Sequence, residues 1–222
     1  MSGAKTGPAR ILLVDDHPVL RQGLVAMIDR EEDIVVCAEV ETAEEALVAA
    51  GREKPDLAIV DLSLGNRPGL ELIKDLHDRH PKVKVLVLSM HDETLWAERS
   101  LRAGACGYVM KQEKPRELIG KIRQALTGET CLSENMTRAL LSKMMGNRGG
   151  GAVSPEETLG DRELEVLQLL GQGMSSREIA DAMHISVKTV ESHREHLKRK
   201  LGLGSGDELL RYAVHRFLGV RS

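Results

Sequence analysis

Aromatic residues are nearly missing from this 222-residue chain, which has one Phe, one Trp and two Tyr. Its cores must therefore be built from Leu, Ile, Val, Ala and Met, a palette that suits helices and parallel strands. No apolar run approaches the roughly 18 residues that a membrane span requires, and the opening MSGAKTGPAR has no apolar stretch of the kind a secretory signal needs. The expected location is cytoplasmic, with no membrane partner. Cysteine is scarce too. Cys37, Cys106 and Cys131 make an odd set without a CxxC pair, which supports neither a disulfide framework nor a zinc ribbon and leaves three reduced, partly buried thiols. An excess of positive charge is also absent. With 31 Lys and Arg against 34 Asp and Glu, the formal net charge is -3, so DNA binding has to be argued locally.

The length favours two modest domains over one. Four short apolar runs, ILLV at 11–14, LAIV at 57–60, VLVL at 85–88 and YVM at 108–110, read as buried strands, and IVVCAEV at 34–40 makes a weaker fifth. Between them lie segments of helical spacing, such as Leu20, Leu24, Met27 and Ile28, then Ala43, Ala46, Leu47 and Ala50, then Leu70, Leu72, Ile73 and Leu76. Five strand–helix alternations imply an α/β, doubly wound five-stranded parallel sheet, because each crossover must cover one of its faces. This first domain is expected over 10–127. Residues 128–154 read as a linker with a helix at 132–145, broken by GNRGGG at 146–151, where consecutive glycines suit no regular structure. Ser154 and Pro155 then look like a cap and first position of a helix, and a smaller all-α domain is expected over 155–219.

Open parallel sheets place their chemistry at the carboxyl ends of the strands. The residues found there are Asp15 and Asp16, Asp61, Ser89 and Lys111. A lone aspartate at a strand end is ordinarily a helix cap. Three converging carboxylates would instead raise each other's pKa values unless a cation sat among them, and an all-oxygen site suits Mg²⁺. With such an ion in place one carboxylate can attack a phosphoryl group. Asp61, alone on the central strand, is the natural nucleophile; Lys111 supplies a point charge to a phosphoryl oxygen and Ser89 a hydroxyl to another. His17 reads as a solvated loop residue and Trp96 as surface packing on the fourth helix.

Over 10–127 the acidic pair in LLVDDH, the Asp in IVDLSLGNRPG, the Ser in VLSMH and the Tyr and Lys in GACGYVMK resemble the receiver domains of response regulators, which have a flavodoxin-like fold. The resemblance implies that Asp15 and Asp16 serve the Mg²⁺ site with Asp61 and the Ser63 backbone carbonyl, and that Tyr108 is a switch aromatic moving inward when Ser89 swings to the phosphate. The sequence departs from common family patterns at Leu64 and Gly65, where many members have Met-Pro, and at Gln112, where receivers often have Pro.

In the second domain, SSREIADAMHISVKTVESHREHLKRKLGL reads as two helices with a tight turn, capped by Ser175 with Glu178 and by Ser186, and ended by Gly202. From 188 to 200 there are five Lys or Arg against two Glu. On the second helix Lys188, Arg194 and Lys198 would contact phosphates, Thr189 and His193 would add hydrogen bonds, and Glu191, Ser192 and Glu195 would read bases. LGDRELEVLQLLGQGMSSREIA and KTVESHREHLKRKLGL are similar to the LuxR-type helix-turn-helix, with Gly160 where a capping Thr is usual. Joined to a receiver, this is the arrangement of the NarL/FixJ family. It implies a two-component response regulator, phosphorylated on Asp61 by a sensor histidine kinase and binding double-stranded DNA as a phosphorylation-dependent homodimer. The alternative is a phosphorylation-independent regulator whose receiver only dimerises. An aspartate-nucleophile phosphatase needs a second acid two residues after the nucleophile, and Ser63 stands there instead, so no enzyme beyond slow self-dephosphorylation is expected.

Overall fold

The computed structural model describes residues 7–65, 67–144 and 155–218, with Lys143, Met144, Glu157 and Leu218 described by their backbone. GNRGGG and the Ser154 cap lie outside the described residues. The chain divides into two compact units, Met1–Asn147 and Arg148–Ser222.

In the first unit β1 (Ala9–Val14), β2 (Ile34–Val40), β3 (Leu57–Val60), β4 (Lys84–Ser89) and β5 (Gly107–Met110) form one parallel sheet in the order β2-β1-β3-β4-β5. Alternation along the strands gives each face its own core. Ile11, Leu13, Leu57, Ile59, Leu86, Leu88 and Val109 pack under Leu24 and Ile28 of α1 (Pro18–Ile28) and Leu118, Ile119 and Ile122 of α5 (Pro115–Thr127). The other face is covered by α2 (Ala43–Glu53), α3 (Gly69–Arg79) and α4 (Glu93–Arg102), with Ala46, Leu72, Ile73 and Ala97 fully buried.

Register fixes what stands at the sheet's carboxyl edge. Val14 pairs with Val60 and Val60 with Val87, so β1 and β3 end level while β4 runs two residues further, to Ser89. The ladder runs one step further: Asp61 N–H donates to the Val14 carbonyl at 2.9 Å and Lys111 N–H to the Ser89 carbonyl at 2.9 Å. The first residues past the strands are therefore held by backbone bonds, with side chains free to face the edge. After β3, Ser63–Leu64 pairs antiparallel with Arg67–Pro68, and the chain returns so closely that a Cβ on Gly69 would lie 2.6 Å from the Asp61 carbonyl oxygen. Only glycine fits there. Among the described residues no peptide bond is cis, so Lys111–Gln112 is trans.

The segment after α5 does not leave the first unit at once. Gly128 caps α5 in the left-handed region, and Cys131 then bridges Gly107 on the sheet edge: Cys131 N–H donates to the Cys106 carbonyl and Tyr108 N–H to the Cys131 carbonyl. Cys131 is fully buried, and a Cβ on Gly107 would meet its Cβ at 2.5 Å. A helix α6 (Glu134–Met144) follows, its start tied to α4 by the Ser133 N–H, which donates to Glu93 Oε1 at 3.0 Å. The first half of the expected linker is thus sheet edge and packed helix.

The second unit is helical: a 3-10 turn (Pro155–Thr158), then α7 (Asp161–Gly171), α8 (Ser176–Ala182), α9 (Val187–Leu201) and α10 (Gly206–Leu218). Leu164, Leu167, Ile179, Val190, Leu197, Leu209 and Ala213 form its core, all fully buried. At α7 the cap residue is glycine, and the Glu163 carboxylate reaches back to accept its N–H at 2.8 Å. Among the described residues no helix is long and apolar enough to cross a membrane.

Candidate functional site

Asp15 and Asp61 sit side by side at the carboxyl edge, each only 3 % exposed. The Lys111 ammonium lies between them, 2.8 Å from Asp15 Oδ2 and 2.7 Å from Asp61 Oδ2. Burial of Asp61, aided by the Asp15 charge, outweighs Lys111 and pushes the Asp61 carboxyl up to about 6. Burial works against the Lys111 ammonium, but the two carboxylates outweigh it and hold its pKa above the ordinary value.

His17 is the solvated loop residue that the sequence implies, and it also borders this site. Although its side chain is 64 % exposed, Nδ1 lies 2.7 Å from Asp16 Oδ1, 3.3 Å from Asp15 Oδ1 and 4.0 Å from Asp61 Oδ2. Its backbone N–H donates to Asp15 Oδ1 at 2.8 Å, which aims that carboxylate. Asp15, Asp16, His17 and Asp61 each bring one ligand atom within 4.8 Å of the others. Asp16 Oδ1 is buried and, although His17 Nδ1 stands 2.7 Å away, no contact of hydrogen-bond geometry reaches it, so it is an atom that a cation would satisfy. The residues present therefore fit a divalent ion, and the cluster can hold one.

Ser89 and Tyr108 lie on neighbouring strands of the same edge. Ser89 is fully buried, and its Oγ accepts the His91 N–H at 3.2 Å. Tyr108 is turned inward and 2 % exposed, its hydroxyl donating to the His91 carbonyl at 2.8 Å, and burial holds the phenol well above its ordinary pKa. His91, which ends the VLSMH run, carries no strand-end or spacing signal that would mark it in the sequence. Trp96 is a correction: it is 3 % exposed and stacks on His91 with ring centroids 4.9 Å apart, so it is core and not surface. Ser63, whose Oγ is 2.9 Å from His91 Nε2, completes the group.

In the second unit Ser186 caps α9 by accepting the Thr189 N–H at 3.1 Å. Lys188, Thr189, Glu191, Ser192 and Glu195 are exposed along this helix, as is Val187, while His193 is partly covered and burial lowers its pKa. Arg194 is turned back: Nη1 donates to Ser176 Oγ of α8 at 2.6 Å and lies 3.4 Å from Glu191 Oε1. Lys198 Nζ is 2.8 Å from Glu195, and Lys200 Nζ is 2.6 Å from Glu163 of α7. The Glu191 and Glu195 pairs lie inside the stretch and are already counted in its excess of three, so Glu163 offsets one further charge, that of Lys200, and two remain.

Residues 11–123 match the response regulator receiver domain model, and 157–213 match the model of bacterial regulatory proteins of the luxR family. The oxygen regulatory protein NreC of Staphylococcus carnosus is 34 % identical over 94 % of this chain and 98 % of its own length. Among solved structures, RcsB of Salmonella enterica serovar Typhimurium, bound to promoter rprA in the presence of the phosphomimetic BeF3-, superposes with a TM-score of 0.62 at 26 % identity, covering 94 % of this chain and 99 % of that one. A LuxR-family two-component response regulator from Aurantimonas sp. SI85-9A1 gives 0.58 at 32 % identity, covering 63 % of this chain and 99 % of that one. With a receiver's strand-end constellation in one unit and a capped recognition helix in the other, the chain belongs to the two-component response regulators that carry a LuxR-type helix-turn-helix DNA-binding domain.

Proposed function

We propose that Asp61 accepts a phosphoryl group from the phosphohistidine of a sensor histidine kinase, and that this addition changes transcription through the second unit. The observation that carries the reading is the buried Asp61 carboxylate standing 2.7 Å from the Lys111 ammonium among two further carboxylates. An Asp61 oxygen forms the new bond to phosphorus as the bond from phosphorus to the histidine nitrogen breaks, leaving an acyl phosphate. Asp15, Asp16, Asp61 and the Ser63 carbonyl would hold Mg²⁺, which neutralises charge on the nucleophile and the incoming oxygens. Lys111 then pairs with a phosphoryl oxygen and Ser89 donates its hydroxyl to another. The altered edge favours a homodimer on a two-part DNA site in the cytoplasm. Turnover of outside phosphoesters is not part of this function, because Ser63 stands where a phosphatase of this kind needs an acid.

Intact-protein mass after incubation with Mg²⁺ and acetyl phosphate tests the acceptor. A single phosphoryl addition, absent in Asp61→Asn, is expected; no addition to folded natural chain favours the phosphorylation-independent reading. Equal DNA affinity with and without a phosphate mimic would remove the coupling half of the proposal.

A further inference from the structure

We propose that His91 is the positioning residue through which phosphorylation of Asp61 reaches α4, an inference that rests on the acceptor function proposed above. His91 lies two residues beyond Ser89 in the β4–α4 connection and is 5 % exposed. Its contacts run in four directions. The backbone N–H donates to Ser89 Oγ at 3.2 Å, and the backbone carbonyl accepts the Tyr108 hydroxyl at 2.8 Å. In the ring, Nε2 stands 2.9 Å from Oγ of Ser63, which follows Asp61 by two residues. The ring's face lies against Trp96 in the first turns of α4, tilted by 30°.

This arrangement leaves little slack. If Ser89 turns its hydroxyl toward a phosphoryl group, its oxygen leaves the His91 N–H, and a buried N–H does not stay unpaired. The backbone at 91 therefore shifts, carrying the carbonyl that holds Tyr108. The ring cannot simply follow, because its far edge is held at Ser63 beside the acceptor loop, so it pivots on that contact. Trp96, in face contact with the ring in a closely packed interior, moves with it and takes α4 along. Glu93, one turn earlier on α4, holds the Ser133 N–H and so passes the displacement to the start of α6.

The chain has a single Trp, so the emission of Trp96 reports on this contact without labelling. The experiment follows Trp96 emission in the full chain during acetyl phosphate and Mg²⁺ treatment, with phosphoryl uptake scored by intact mass in the same sample. Emission is expected to change in proportion to uptake. Uptake with silent Trp96 overturns the role of His91 and leaves the acceptor reading standing; no uptake overturns both. Two variants separate positioning from mere filling of space. His91→Phe keeps a ring against Trp96 but loses the Ser63 contact, and its emission change per phosphoryl group is expected to fall about threefold or more. His91→Gln returns a polar tip to Ser63 and is expected to recover most of the response. Equal responses in all three proteins overturn the proposal, and if His91→Phe does not fold, Ser63→Ala, which removes the same contact from its other end, takes its place with the same expected fall.

Discussion

Lys111 Nζ stands 2.7 Å from Asp61 Oδ2 with its side chain only 4 % exposed, and Asp15 Oδ2 lies 2.8 Å away on its other side. The ammonium thus balances two buried carboxylates at once. Removing it leaves both without their cation, which typically costs about 3 to 5 kcal/mol for a broken buried pair. Lys111→Met is therefore expected to unfold the metal-free first unit at markedly lower urea concentration, followed by Trp96 emission. Mg²⁺ should restore part of the loss, because it replaces the missing charge. A denaturation midpoint unchanged by the substitution would show that the lysine does not carry this balance.

The Asp61 carboxyl makes the opposite contribution. Its folded pKa of about 6 lies above the unfolded value of about 3.9, so the folded state is penalised wherever the group must ionise. The penalty is absent below pH ~4, grows as pH rises through the interval, and is complete above the folded pKa. Asp61→Asn should therefore stabilise the metal-free chain at neutral pH, by about 1 to 3 kcal/mol, with the difference vanishing in acid. Mg²⁺ should then stabilise the natural chain more than the variant, narrowing the gap. Urea midpoints at three pH values, with and without Mg²⁺, check the sign.

How far the sequence reached depended on how local each feature is. The strand runs end in Asp15, Asp61, Ser89 and Lys111, so the alternation that betrays the sheet also points to its chemical edge. His91 is not legible in the sequence because its partners Ser63 and Tyr108 are 28 and 17 residues away, and only the register of β3, β4 and β5 brings them together. Trp96 sits in ETLWAERSLR, too polar a helix for periodicity to mark an inward aromatic. The cation count over 188–200 overstated what DNA would see, because Lys200 is engaged by Glu163, 37 residues earlier. Cys131 reads as an ordinary thiol in the sequence, yet its backbone extends the sheet.

Glu163 joins the start of α7 to the end of α9, and its environment gives the second unit a pH dependence. Burial alone would raise its carboxyl, but the Lys200 ammonium and the Gly160 N–H outweigh burial and hold its pKa below the ordinary value. Because the folded pKa is depressed, the stabilisation is present above the unfolded glutamate value of about 4.3 and is lost as pH falls through the folded value. Glu163→Gln should lower the stability of the second unit by about 1 to 2 kcal/mol at neutral pH. The two proteins should converge in acid. Backbone amide exchange in α7 and α9 across that interval distinguishes this from a general acid effect, since other helices would lose protection only if the whole unit were failing.

Lys188 and Arg194 both carry positive charge on α9, but the structure gives them different work. Lys188 is exposed near the helix start, whereas Arg194 is 25 % exposed and bonded to Ser176. A phosphate contact releases counterions, so its loss should lower the slope of log affinity against log salt by about 1. Lys188→Ala is expected to do this on a mixed-sequence duplex while leaving thermal unfolding unchanged. Arg194→Ala is expected to lower stability by about 1 kcal/mol through the lost tie between α8 and α9, with a smaller change in salt slope. If Arg194→Ala instead flattens the salt dependence as much as Lys188→Ala does, the arginine leaves Ser176 on DNA and contacts phosphate, and the turn between α8 and α9 must be held by its buried Ile179, Met183 and Val190 alone.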